Sequence, residues 1–73
     1  MNENKIERVA KATAKNYALD GYSLLDYEFF NNSQLAVYWM KHMNGNKLKI
    51  VGDLVENKIE IYLNKKLNKT INL

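Results

Sequence analysis

The stretch Gln34–Val55 reads QLAVYWMKHMNGNKLKIVGDLV, and its reading decides the fold. Two runs rich in aromatic and β-branched residues, 34–43 and 47–55, flank Asn44-Gly45. Asn-Gly is the strongest short hairpin signal, because a type I′ turn needs positive φ at both central residues. Taken as a two-residue turn, it sets Trp39 opposite Ile50, Val37 opposite Gly52 and Leu35 opposite Leu54. Apolar residues then share one face, and a slip of one residue would spoil each pairing.

The pattern extends in both directions. Downstream, Glu56-Asn57 separates this hairpin from a further run at 58–63. As a turn it sets Leu54 opposite Ile59, Gly52 opposite Ile61 and Ile50 opposite Leu63. Upstream, Asn31-Asn32-Ser33 follows a run at 22–30. As a three-residue loop it sets Leu25 opposite Trp39, Tyr27 opposite Val37 and Phe29 opposite Leu35. The chain has no Pro, so no strand is demoted on that ground.

Before residue 22 the period is helical, over about 4–20. Ile6, Val9, Ala10, Thr13, Ala14 and Tyr17 fall on one face, while Glu3, Glu7, Arg8, Lys11 and Lys15 fall largely elsewhere. Asn4 is the expected N-cap, with Glu7 three residues on, and Asp20-Gly21 ends the helix. The tail 64–73 is ambiguous. Leu67 and Ile71 are four apart, as on a helix, whereas Lys69, Ile71 and Leu73 alternate, as on a strand. The expected fold is α+β: an N-terminal helix packed on one face of a four-stranded antiparallel β-meander, in the order α-β-β-β-β. Trp39 is expected between helix and sheet, beside Leu25 and Ile50, with Gly52 making room for it.

At 73 residues the chain has length for one domain. A domain this size buries only about 60% of its unfolded surface, so small scaffolds often add disulfides, metals or a partner chain. There is no Cys and a single His, which excludes disulfides, thiolate sites and a His-based zinc cage. A hydrophobic fraction of 47% suffices for a core. The N-terminal MNENKIERVAKA has charges every few residues and no signal-peptide core, and no apolar run approaches the roughly 18 residues of a membrane helix. These features predict a soluble cytoplasmic protein, and the lack of Cys fits a reducing compartment. The net charge of +3 permits an anionic partner without demanding one. Abundant Asn and Lys beside a single arginine, Arg8, fit AT-rich coding, an association with low-GC bacteria, their phages and their plasmids.

Catalytic material is sparse. Ser23 and Ser33 lack the strained setting of an activated nucleophile. His42 is the one side chain whose ordinary titration range lies near neutrality, and its position before the turn suits an exposed strand end. Asp26 and Glu28 share a strand face, but no pocket is implied. No phosphate loop, dinucleotide fingerprint or calcium loop occurs. The expectation is a non-enzymatic protein without cofactor or metal.

The second sheet face is the informative one. The same register places there Tyr22, Leu24, Asp26, Glu28 and Phe30 from the first strand, and Ala36, Tyr38, Met40 and His42 from the second. The third contributes Lys47, Lys49, Val51, Asp53 and Val55, and the fourth Lys58, Glu60 and Tyr62. The resulting candidate interaction surface is Tyr22, Leu24, Tyr38, Met40, Val51 and Tyr62. A basic rim of His42, Lys47, Lys49 and Lys66 lies on one side, and an acidic rim of Glu28, Asp53 and Glu60 on the other. An apolar patch with polar ends marks a binding surface. The sequence therefore predicts a protein-interaction module, either a homodimer or a host-protein-binding regulator or inhibitor of phage or mobile-element type. The alternative is single-stranded nucleic-acid binding, with Tyr38 and Tyr62 stacking bases and Lys47, Lys49 and Lys66 meeting phosphates.

Overall fold

The structure is a computed structural model describing residues 4–73; Glu3, assigned above to the polar side of the helix, lies outside them. Helix α1 (Lys5–Leu19) is followed by strands β1 (Tyr22–Phe30), β2 (Leu35–His42), β3 (Lys47–Asp53), β4 (Lys58–Leu63) and β5 (Lys66–Asn72). The strands form an antiparallel sheet in the order β1-β2-β3-β4-β5, with α1 against its β1–β4 part.

The helix begins where Asn4 Oδ1 accepts the Ile6 N–H at 2.7 Å. Ile6, Ala10 and Ala14 are buried on its inner stripe, and Val9 and Tyr17 pack partly against the core. The small alanines let the helix sit low over Met40, Leu48, Ile50, Ile59 and Ile61, which are all buried. Ala10, Ile50 and Ile59 are completely inaccessible. Gly52 lies beneath the helix. A Cβ there would stand 3.1 Å from Ile6 Cγ2 and 3.3 Å from Ala10 Cβ, so its missing side chain makes room for the helix and not for Trp39.

Five strands form, not four. The ambiguous tail is β5, joined to β4 by Asn64-Lys65, whose φ values of 50° and 70° are those of a two-residue type I′ turn. Asn44-Gly45 is not such a turn. The Gly45 N–H donates to the His42 carbonyl at 3.0 Å and the His42 N–H to the Asn46 carbonyl at 2.8 Å, so the loop has three residues, Met43 to Gly45. Gly45, at φ +98°, is the left-handed residue that closes it. Asn44 avoids positive φ and spends its side chain on the Asn46 N–H at 2.9 Å.

That extra residue slips β2 by one against β3. Trp39 is opposite Lys49 and Tyr38 opposite Ile50. Because side chains alternate, the slip reverses both faces of β2. Trp39 is therefore half-buried on the side away from the helix, and its expected place beside Ile50 belongs to Met40 and Tyr38. In the β3–β4 hairpin the loop is Leu54 to Asn57, so Gly52 faces Ile59 and Asp53 faces Lys58. This slip is by two residues and leaves both faces as expected. Met43, Leu54 and Val55 fall in loops, and Val55 is exposed there.

The β1–β2 loop also has an extra residue, Asn31 to Gln34, with Gln34 at φ 55°. Its slip compensates that of β2, so Asp26, Glu28 and Phe30 keep their expected face. Leu25 is then an unpaired bulge, and beyond it the pairing changes phase. Tyr22 and Leu24, opposite His42 and Met40, turn to the helix side.

Candidate functional site: the outer face of the sheet

The face away from the helix is built of four rows. At the β2–β3 hairpin end stand Ser23, Lys41 and Lys47. The next row holds Asp26, Trp39, Lys49, Tyr62 and Leu67, and the third Glu28, Val37, Val51, Glu60 and Thr70. The last holds Phe30, Leu35, Asp53, Lys58 and Asn72. Among the described residues no helix covers this face, yet Val37 and Val51 are only 4% and 8% exposed. Their neighbours on the sheet close over them. Phe30 meets Trp39 edge-on, with ring centroids 6.5 Å apart.

A groove of about 470 Å³ opens at the hairpin end, lined by Leu25, Trp39, Lys47, Lys49, Tyr62 and Lys65. Met40 and Leu48 of the helix-side core complete its lining. Lys49 Nζ lies 5.0 Å from the centre of the Tyr62 ring. Asparagines hold this end in shape. Asn64 Oδ1 accepts the Lys47 N–H at 2.9 Å, the Asn64 N–H donates to the Lys47 carbonyl at 2.8 Å, and Asn64 Nδ2 donates to Asn46 Oδ1 at 3.1 Å. The two loop ends that carry Lys47 and Lys65 are thereby tied together.

Apart from Asp26, which stands in the second row beside Trp39, the carboxylates and most of the lysines lie toward opposite ends. Lys41 and Lys47 are directly opposite each other on neighbouring strands, with Lys49 two residues on and Lys65 at the β4–β5 turn. Among the described residues none of these four has an ion-pair partner. Like charges directly opposite on a sheet repel. Toward the other end lie Glu28, Glu60 and Asp53. Lys58 Nζ is 3.9 Å from Glu60 Oε2, and Asp53 Oδ1 accepts the Val55 and Glu56 N–H groups at 3.0 Å each.

Of the surface expected from sequence, Val51 and Tyr62 lie on this face, as do Lys47, Lys49, Glu28, Asp53 and Glu60. Tyr22, Leu24, Tyr38 and Met40 do not, because the β2 slip and the Leu25 bulge turn them to the helix side. Met40 is 2% exposed and belongs to the core. Lys66 is opposite Leu63, in the helix-side register, and Lys65 stands at the groove in its place. His42 is half-buried and structural. Its Nδ1 accepts the Asn44 N–H at 3.0 Å, and Nε2 lies 3.1 Å from the Asp20 carbonyl, to which it donates when Nδ1 is the acceptor. It also packs edge-on against Tyr22 at 5.0 Å. Trp39, Leu25, Leu35 and Val37 were missed as members of this face for the same reason of phase.

Among the described residues no group of three or more His, Asp or Glu side chains could hold a metal ion, and no helix is long and apolar enough to cross a membrane. No family model, curated protein or solved structure matches the chain.

Proposed function

We propose that the chain is a small non-enzymatic protein-interaction module whose working surface is the outer sheet face. The observation that carries this is the apolar layer on a side no helix covers: Val37 and Val51 beneath Trp39, Leu35 and Phe30, beside an open groove. A solvated antiparallel face ordinarily alternates to polar residues. An apolar centre with charged ends has the anatomy of a protein contact, a dry core inside a polar rim. The test is site-specific photo-cross-linking in cells. With Leu67 replaced by a photoreactive phenylalanine analogue, a discrete adduct should form, and it should vanish when Trp39→Ser is added. Adducts arising only from the same probe at Lys11, on the exposed side of α1, would refute this use of the sheet.

Single-stranded nucleic acid is the second reading, favoured by four lysines beside Trp39 and Tyr62 that have no ion-pair partner among the described residues. Tyr38, on the helix side, has no part in it. Against it, Lys49 occupies the neighbourhood of the Tyr62 ring, where a base would stack, and carboxylates share the face. Such binding must weaken steeply with salt as counterions leave the phosphates. Replacing Lys47 or Lys49 should lower the salt slope by about one unit. Absence of oligo(dT) or oligo(U) binding at about 50 mM salt removes this reading.

A further inference from the structure

We propose that the occupant of the outer face is a second copy of this chain, turned end for end, so that the lysine end of each copy lies over the carboxylate end of the other. This rests on reading the outer face as a protein-contact surface, and adds the identity and orientation of the partner.

The argument is one of symmetry and charge. Lys41, Lys47, Lys49 and Lys65 gather at the β2–β3 hairpin end. Glu28 and Glu60 stand in the third row beside Val37 and Val51, and Asp53 in the last beside Leu35; Trp39 lies in the second row, where Asp26 is the one carboxylate in the lysine half. The charge gradient thus runs along the strands. A two-fold axis lying in the contact plane and running across the strands inverts that direction. It sets the lysine end of each copy over the Asp53 end of the other, Lys47 over Asp53 along β3, with Trp39 near the middle of both copies; the like-charge approach it creates is Asp26 near Glu28 along β1. A two-fold interface must be complementary to itself, and a face with opposite charge at its two ends meets that condition. The same axis keeps the two sets of strands roughly aligned, which is how sheets pack face to face. It also answers the repulsion between Lys41 and Lys47, neither of which has an ion-pair partner among the described residues. An acidic peptide or a nucleic acid would satisfy the lysines alone and leave Glu28 and Asp53 facing an anion. Lys58 works against the scheme: 3.9 Å from Glu60, it offsets that carboxylate and leaves Glu28 and Asp53 as the charges of this end without an ion-pair partner among the described residues.

The test uses the full chain and two charge variants. In one, Lys47→Glu and Lys49→Glu turn the face net negative, although Lys41, Lys58 and Lys65 remain on it. In the other, Glu28→Lys and Glu60→Lys make it basic. Asp53 is left alone because it holds its loop. Circular dichroism and a thermal melt establish that each variant folds, and sedimentation gives the mass. The wild-type chain should dimerise with rising concentration, and its single tryptophan should shift to the blue as it does. Association should weaken in about 1 M salt, where screening acts within about 3 Å. Each variant alone should dimerise about 100-fold less tightly or worse, because like charges then meet. An equimolar mixture of the two should recover a dimer. If a variant fails to fold, the single changes Lys49→Glu and Glu28→Lys replace it in the same mixing experiment.

A wild-type chain that stays monomeric to about 1 mM, where even weak contacts are populated, overturns the proposal. If position 67 still cross-links another protein in cells, the interaction reading survives with a different partner. If it does not, both fall. Variants that dimerise as well as the wild type place the contact elsewhere and also overturn it.

Discussion

At the scale of single residues, substitutions show how closely helix and sheet are fitted. Gly52→Ala puts a methyl against Ile6 and Ala10 at distances tighter than ordinary contact. Overpacking of this kind costs about 1–3 kcal/mol, so the urea midpoint should fall, although alanine is the better strand residue. Filling the same space through the helix, by Ala10→Val, should behave alike. His42 links the end of α1 to the β2–β3 loop through two hydrogen bonds. His42→Ala should therefore cost about 1–2 kcal/mol in the same assay. A change within about 0.5 kcal/mol, as for an ordinary surface site, would deny that link. Ile50 and Trp39 make the sharpest contrast. Ile50 is wholly buried under the helix and its change to Ala should cost about 2–5 kcal/mol. Trp39 is half-buried, so despite its size Trp39→Ala should cost less stability than Ile50→Ala. The opposite order would return Trp39 to the helix side. A two-residue Asn44-Gly45 turn would place Trp39 in the core; the three-residue loop turns it to the other face.

At the scale of elements, what could be read from the sequence depended on whether an error in turn length was odd or even. The β3–β4 loop is longer than expected by two residues on the pairing sum, so Lys47, Lys49, Val51, Glu60 and Tyr62 kept their face. The β2–β3 loop differs by one, and every side chain of β2 changed sides. Asn-Gly satisfies both a two-residue turn and a three-residue loop ending in a left-handed glycine, so composition alone does not choose between them. In β1 the phase changes within the strand at Leu25, which no residue type announces. The helix was legible throughout, from its Asn4 cap to the Ile6, Ala10 and Ala14 stripe. The last strand was not, because its turn carries Lys65, not glycine, at positive φ. That gives a direct check. Lys65→Gly should relieve a left-handed conformation that costs an ordinary residue about 1–2 kcal/mol. Set against glycine's extra chain entropy, a net gain of about 0.5–1 kcal/mol is expected, read as a higher melting temperature. A loss would argue that the chain does not make this turn.

At the scale of the whole molecule, α1 and the sheet share a thin core, and the strand that completes the sheet is the one farthest from the helix. Ile71 of β5 packs against that core opposite Ile59. A chain ending at Leu63 should lose its cooperative thermal transition, where a frayed tail would have left it unchanged. The irregular pairings of this sheet fall on its two outermost strands: Leu25 is extra in β1 and Asn68 in β5. A regular open edge is a template onto which further strands can add without limit, and bulges blunt it. Both margins of this sheet are therefore poor seeds for fibres, although β1 shows solvent Leu24, Leu25 and Tyr27. Deleting Leu25 would bring Leu24 and Asp26 into consecutive pairing with Met40 and Trp39, leaving the fold in phase but the margin smooth. Such a chain should melt much as the parent does yet bind thioflavin T and pellet on prolonged incubation. Two misfit residues at the rims thus oppose edge-to-edge growth of this sheet.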